Sequence, residues 1–259
     1  VKMEDLLELA ERACEIAKAL GADQADAYVS ALRSISVGVE NNSIASCRSI
    51  EDNGMSIRAY RKGGLGFAYT QRLTPDAVRE LAERAVGLAG AAEPDPDFVS
   101  LPEPNGEVAV AGLWDDAAAE TTVDEVTGWA MDAVEEARAL EPEITVSGGA
   151  GAHVGHHAIA NSLGIRREHA GTLVSVSVQG SIREGDEAGT YWEFARARQL
   201  SELRRGGIGE VAARGARQFR NPARRARPAR REHNPGLDRH AGQRRVRPAE
   251  AITSGREKR

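Results

Sequence analysis

Four histidines fall within 17 residues, at His153, His156, His157 and His169. Imidazoles at that density are the natural place to look for a metal centre. Zinc hydrolysis asks for three or four protein ligands and an activating carboxylate. No His in the chain is followed by Glu, so neither HExxH nor the longer HExxxH occurs. If residues 153–161 form a strand, period two sends His153 and His157 to one face and His156 to the other, which spoils a shared site. Glu168 precedes His169, and nothing in the spacing brings it to the others. The expectation is a set of solvated or hydrogen-bonded histidines with no metal ligand among them.

Glycine-rich stretches are the second place where chemistry might sit. Gly63-Gly64-Leu65-Gly66 and Gly148-Gly149-Ala150-Gly151 lack the GxGxxG order, and neither clearly opens a helix. Hairpin turns and close backbone approach account for them better. Gly206-Gly207-Ile208-Gly209 precedes a helical pattern but has no following Lys-Ser/Thr, so it reads as a flexible linker. No GxSxG nucleophile elbow is present. Cys14 falls on the apolar face of the first helix and reads as core. Cys47 lies on a strand beside Arg48, whose side chain the strand sends to the opposite face, so no reactive thiol is expected there. The sequence therefore nominates no catalytic residue and no metal ligand, and leaves the substrate-binding residues unknown.

The elements that would position such residues are more legible. Leu6, Leu9, Ala10, Ala13, Ile16, Ala17 and Leu20 recur at helical spacing before Gly21, giving a helix over 4–20. Ala27, Val29, Ala31, Ile35, Val37 and Val39 then share one face of a long strand. Arg33 interrupts that face, which predicts a bend or an edge position. Asn41-Asn42 is a turn, Ile44 to Ile50 a weaker strand, and Asp52-Asn53-Gly54 a further turn into Met55–Tyr60. Lys62-Gly63-Gly64 closes a hairpin into Leu65–Tyr69. Thr74 with Pro75 starts a helix that buries Val78, Leu81, Ala82, Ala85 and Val86. After a Pro-rich connection from Glu93 to Gly106 the order repeats. Thr122 and Glu125 form a capping box for a helix through Trp129 to Leu140. Strands follow at Ile144–Ser147, His153–Asn161, Thr172–Ile182 and Tyr191–Ala197. Ile208, Val211, Ala212 and Phe219 suggest a last helix. Helix followed by antiparallel meander, twice, argues α+β.

The chain has 259 residues, 34 Lys+Arg against 39 Asp+Glu, and a formal net charge of −5. That average hides a break. Residues 220–259 hold 13 basic and 4 acidic residues, net +9, which leaves 21 and 35, net −14, for residues 1–219. In the last 40 residues the only Leu, Ile, Val or Phe are Leu237, Val246 and Ile252. Such a stretch cannot bury enough apolar surface to offset its ordering entropy, so disorder is expected there. No apolar run approaches the roughly 18 residues a membrane-spanning helix needs. Val1 to Ala10 carries four charges and no apolar core, so no secretory signal is expected. Two cysteines are too few for a disulfide scaffold. A soluble, cytoplasmic protein is the expectation.

One order of segments is distinctive. Asp52-Asn53-Gly54-Met55-Ser56-Ile57-Arg58-Ala59-Tyr60 runs on through Arg61-Lys62-Gly63-Gly64-Leu65-Gly66-Phe67-Ala68-Tyr69-Thr70. This resembles the N-terminal signature of the TldD/PmbA (TldE) family, metallopeptidases also called modulators of DNA gyrase. Ala19-Leu20-Gly21-Ala22-Asp23, the helix from Thr74 and the Asp95-Pro96-Asp97 exit agree in order. Ile159-Ala160-Asn161-Ser162-Leu163-Gly164 is similar to the family's Asn-Ser-x-Gly turn, and Gly209–Ala216 to the helix before its C-terminal domain. The resemblance covers roughly residues 5–219 and implies the N-terminal part of such a protein. It divides the chain into a first block at 1–106, a second at 107–219 and a tail at 220–259.

In that family, TldD-type members carry zinc through HExxxH and a later Cys in the C-terminal domain. TldE/PmbA-type members are metal-free partners in a heterodimer enclosing a chamber, and unfolded or short peptides are the substrates. An N-terminal domain of this kind would help bind an extended peptide, for which an exposed strand edge is suited. Here the sequence turns at Asn221 into Asn-Pro-Ala-Arg-Arg-Ala-Arg-Pro-Ala-Arg-Arg, and no zinc ligand of the family has a counterpart. The resemblance thus implies zinc in the intact family, no cofactor in this chain, and a homo- or heterodimer with a TldD/PmbA-type subunit. Two functions follow: a truncated zinc peptidase lacking its metal-binding domain, or a non-catalytic peptide-binding partner. The tail reads as a frameshift product near residue 220, or alternatively as a basic arm for nucleic acid. The arm lacks aromatic residues for stacking and sits on an acidic body, so nucleic acid is not the expected partner.

Overall fold

Helix and meander alternate twice along residues 3–106, 110–184 and 187–206, which the computed structural model describes. The first block is α1 (Met3–Ala19), β1 (Gln24–Glu40), β2 (Ser43–Arg61), β3 (Gly64–Thr70) and α2 (Pro75–Ala91). The second is α3 (Asp116–Ala119), α4 (Val123–Leu140), β4 (Thr145–Asn161), β5 (Arg166–Glu184), β6 (Glu187–Ala197) and α5 (Leu200–Gly206). All six strands join one antiparallel sheet in the order β3-β2-β1-β4-β5-β6. The two meanders therefore meet at β1 and β4, and the fold is α+β. The suggested helix through Ile208 and Phe219, and the tail 220–259, lie outside the described residues.

Local chemistry explains the ends of the elements. Asn41 (φ 50°) and Asn42 (φ 67°) occupy the left-handed region that a two-residue hairpin requires, and Lys62 (φ 50°) and Gly63 (φ 81°) do the same before β3. The Asn42 side chain also accepts from Val146 N–H at 2.7 Å, tying this turn to β4. Thr74 caps α2 by accepting from Ala77 N–H, with Pro75 in the first turn. The Thr122–Glu125 capping box opens α4 as its sequence predicts.

Every long helix packs on the same side of the sheet, and the apolar side chains there form two clusters. Leu6, Ala10 and Ala13 of α1 and Val78, Leu81 and Ala85 of α2 bury Ala27, Val29, Met55 and Ile57. Val126, Trp129, Ala133 and Val134 of α4 bury Ile35, Val37, Val146, Val174, Val176 and Val178. The alternation expected for β1 holds, with its first half in one cluster and its second half in the other.

Three readings of the sequence need correction. Arg33 marks neither a bend nor an edge, because β1 is central, with β2 on one side and β4 on the other. Its guanidinium instead reaches the carbonyls of Ala119 and Thr121 at the end of α3, so a cation is satisfied between the two clusters. Asp52-Asn53-Gly54 is not a turn. β2 runs straight through it, with Leu32, Ala31 and Ser30 of the 17-residue β1 opposite, and Gly54 keeps a φ that any residue adopts. Ile144–Ser147 and His153–Asn161 are likewise parts of one ladder: β4 spans 145–161, and Gly148–Gly151 lie mid-strand.

Candidate functional site

Strand periodicity sends alternate side chains to the face that, among the described residues, carries no helix. Tyr28, Leu32, Leu65, Phe67, Tyr69, Trp192 and Phe194 are exposed, and their register places them on this face. The connection after α2 bars one end of it. Leu101 N–H donates to Gln24 Oε1 at 2.7 Å, Asn161 Nδ2 to Pro102 O at 2.8 Å, and Arg167 to Asn105 O at 2.7 Å. Phe98 stacks on Tyr60 there, with centroids 3.8 Å apart. Asp26 at the same end is paired with Arg58, whose Nε donates to Oδ1 at 2.9 Å.

Next to that bar lies a line of rings. The Tyr28 hydroxyl is 2.6 Å from His157 Nδ1. His157 and His169 are direct cross-strand partners, with centroids 6.3 Å apart and planes within 11°. Burial lowers the proton affinity of His157, and the neighbouring His169 and His156 lower it further. His153, four residues along β4, bonds Ser34 Oγ through Nδ1 at 2.9 Å, and burial lowers its pKa too. His156 faces the helical side and meets Trp114 at 5.1 Å between centroids. The division of His153 and His157 from His156 is as the two-residue period predicts. The β4–β5 register adds what spacing does not reveal, namely that His169 stands beside His157. A cleft of about 830 Å³ adjoins His169 at the start of β5, lined in part by Leu113, Trp114, Arg166 and Arg167.

An open strand edge is the second feature. β3 pairs only with residues 55–61 of β2, so among the described residues 43–53 have a ladder partner on the β1 side alone. Residues 43–52 are all exposed. Their outward N–H and C=O groups are a template for another extended segment.

The other sequence candidates resolve as structure. Cys14 is buried and its Sγ donates to Ala160 O at 3.4 Å; burial, then the charge of Asp26, pushes the thiol up to about 12. Cys47 is free and exposed on the open edge. Gly63 serves the hairpin, and Gly66 serves close packing, since a Cβ there would stand 1.9 Å from Ala85 O of α2. A Cβ on Gly149 would stand 2.1 Å from Val37 O.

Comparison with known proteins decides the family. Residues 25–89 match the PmbA/TldA metallopeptidase domain 1 and residues 116–219 match the PmbA/TldA metallopeptidase central domain. The chain belongs to the PmbA/TldD family. Its fold is shared with TldE from Thermococcus kodakarensis, at 21% identity and a TM-score of 0.75 over 82% of this chain and 47% of that one. A putative modulator of DNA gyrase from Bacteroides thetaiotaomicron matches at 19% identity and TM-score 0.69, covering 82% of this chain and 49% of that one. One from Thermotoga maritima matches at 20% and 0.65, covering 81% and 46%. The chain thus spans about half the length of these structures. No curated protein matches it.

The family is described as one of metallopeptidases, so the fit to a metal must be tested. Among the described residues no group of three or more His, Cys, Asp or Glu is placed to hold an ion. His157 and His169 pair across the strands, but among the described residues no third His, Cys, Asp or Glu joins them in such a group. No helix among the described residues is long and apolar enough to cross a membrane.

Proposed function

We propose that this PmbA/TldD-family chain is the peptide-handling portion of a TldD/TldE-type peptidase, acting in a dimer with a TldD/PmbA-type subunit. The observation that carries the reading is the sheet, which among the described residues has one face without helices and no partner on the β2 edge at residues 43–53. An extended or unfolded peptide satisfies its own backbone by adding to such an edge, largely independent of sequence. Catalysis in this reading belongs to a zinc-bearing domain or subunit outside these 259 residues, since the sequence contains no HExxxH. The first and second blocks, 1–106 and 107–219, act together as one platform, and the sequence from 220 onward is a frameshift product. Two free cysteines fit a reducing cytoplasm.

The test is peptide cleavage by the purified chain, alone and with a zinc-loaded TldD-type subunit. Binding of unfolded peptide without hydrolysis is expected for the chain alone, and chelator-sensitive hydrolysis once the subunit is added. Chelator-sensitive cleavage by the chain alone defeats the reading. Sequencing the gene through codon 220 in three frames separates the two origins. A frame that continues into HExxxH makes the intact protein a zinc peptidase; one that continues without it makes it the non-catalytic partner.

A further inference from the structure

On β4 and β5 the pair beside the histidines carries no side chains, because Gly155 stands opposite Gly171. Both rings lean over these glycines. A Cβ on Gly155 would lie 3.0 Å from His157 Nε2, and one on Gly171 would lie 3.4 Å from His169 Nε2. The same point above Gly171 is 3.1 Å from Nη1 of Arg198. Opposed Cβ positions on antiparallel strands are about 5 Å apart, so three nitrogen donors converge on a floor only two glycines wide. Arg198 is held in place: Nη1 donates to Thr172 O at 3.1 Å, and the Thr172 hydroxyl donates to Arg198 O at 2.7 Å. Tyr28 Oη and His157 Nδ1 are paired at 2.6 Å; in the tautomer in which the hydroxyl donates, the ring proton sits on Nε2, over the floor.

Three acids of the sheet are engaged elsewhere or turned away. Asp26 is taken by Arg58, Asp52 accepts from Gln71 Nε2, and the two-residue period sends Glu168 to the opposite face. Leu113 O, 3.5 Å from the Gly171 point, already accepts from Thr172 N–H. A guanidinium and two imidazoles gathered over a floor without Cβ atoms are complementary to a small planar anion, and a guanidinium fork matches a carboxylate.

We propose that Arg198, His169 and His157 form a carboxylate-binding subsite over the Gly155–Gly171 floor, which seats the C-terminal carboxylate or an acidic side chain of an extended peptide. The peptide as source of the carboxylate rests on the functional reading above; the subsite itself does not.

Imidazole NMR of the full chain, titrated near pH 6.5 with sodium acetate against sodium chloride at matched ionic strength, tests it. Saturable shifts of His157 and His169 are expected, with Arg198→Ala weakening acetate by about tenfold. Gly155→Ala fills the floor while removing no charged group; its nearest contacts are His157 Nε2 at 3.0 Å and Leu32 Cδ2 at 3.3 Å, so the ring must give by a few tenths of an ångström, and the variant weakens acetate as well. A response equal to chloride, or one indifferent to Arg198→Ala, overturns the subsite. Three Nα-acetylated tetrapeptides then assign the source: tetraalanine as free acid, its amide, and an amide with one internal Glu. Preference for the free acid assigns the C-terminus, and preference for the Glu peptide assigns a side chain. Equal binding of all three overturns carboxylate recognition in peptides. Saturation by acetate with no peptide bound keeps the subsite and removes the peptide reading.

Discussion

Arg33 occupies a strand position whose neighbours two residues before and after, Ala31 and Ile35, are apolar. It is tolerated because its guanidinium supplies donors to Ala119 O and Thr121 O, groups that α3 is too short to satisfy itself. Arg33→Met keeps the aliphatic bulk and removes the donors. It is expected to lower unfolding free energy by about 1–3 kcal/mol in urea titrations, and Arg33→Lys to recover only part, since a single ammonium nitrogen does not offer the two separate Nη atoms that reach Thr121 O and Ala119 O. The histidines give a pH signature. Burial lowers the proton affinity of His153, His156 and His157 in the folded chain, whereas the unfolded chain binds those protons near pH 6.5. Below that value the unfolded state holds more protons, so stability falls as pH drops toward the lowered folded values and is fully present above it. His153→Gln should flatten that fall between about pH 6.5 and 5; an unchanged slope in urea midpoints would show that carboxylates alone cause it.

Where β3 meets α2, two glycines make opposite predictions. A Cβ on Gly66 would meet Ala85 O at 1.9 Å and Ala89 N at 2.5 Å, both backbone, so strand and helix would have to part. Gly66→Ala should cost about 1–3 kcal/mol or more. Gly87, on the exposed side of α2, has nothing within 4 Å, and Gly87→Ala should gain about 0.5–1 kcal/mol from helix propensity. Thermal melts of the two variants moving in the same direction would contradict this packing. Elements whose ends depend on a few adjacent residues are legible in the sequence: the Thr74-Pro75 start, the Thr122–Glu125 box, the Asn41-Asn42 turn. Those governed by distant pairing are not. Asp52-Asn53-Gly54 has turn chemistry, yet the long β1 alongside holds it extended. The candidate site suffers most from this limit. Period two places His157 and His153 on one face, but the β4–β5 register that sets His169 beside His157 is a tertiary property. Arg198 carries no sequence signal at all, and its role depends on Gly171 lacking a side chain.

At the scale of the molecule, the two apolar clusters are not two folding units, because the central strands belong to both. β1 gives Ala27 and Val29 to the first cluster and Ile35, Val37 and Val39 to the second. β4 gives Ala158 and Ala160 to the first and Val146, Ala150 and Ala152 to the second. Opening one cluster would strip the ladder from half of each central strand and leave buried backbone groups unpaired, at a cost comparable to losing the packing itself. A single cooperative transition is therefore expected. The tryptophans allow a clean test, because all three, Trp114, Trp129 and Trp192, fall in the second block, and Trp129 lies in the second cluster. Leu81→Ala removes a buried side chain of α2 from the first cluster, where no tryptophan resides, and should cost about 2–5 kcal/mol. If β1 and β4 bind the clusters into one unit, tryptophan fluorescence and far-UV circular dichroism will shift to the same lower urea midpoint. A fluorescence midpoint left at the wild-type value, with a biphasic dichroism curve, would mean that the first cluster opens alone, its halves of β1 and β4 parting while the rest of the ladder holds.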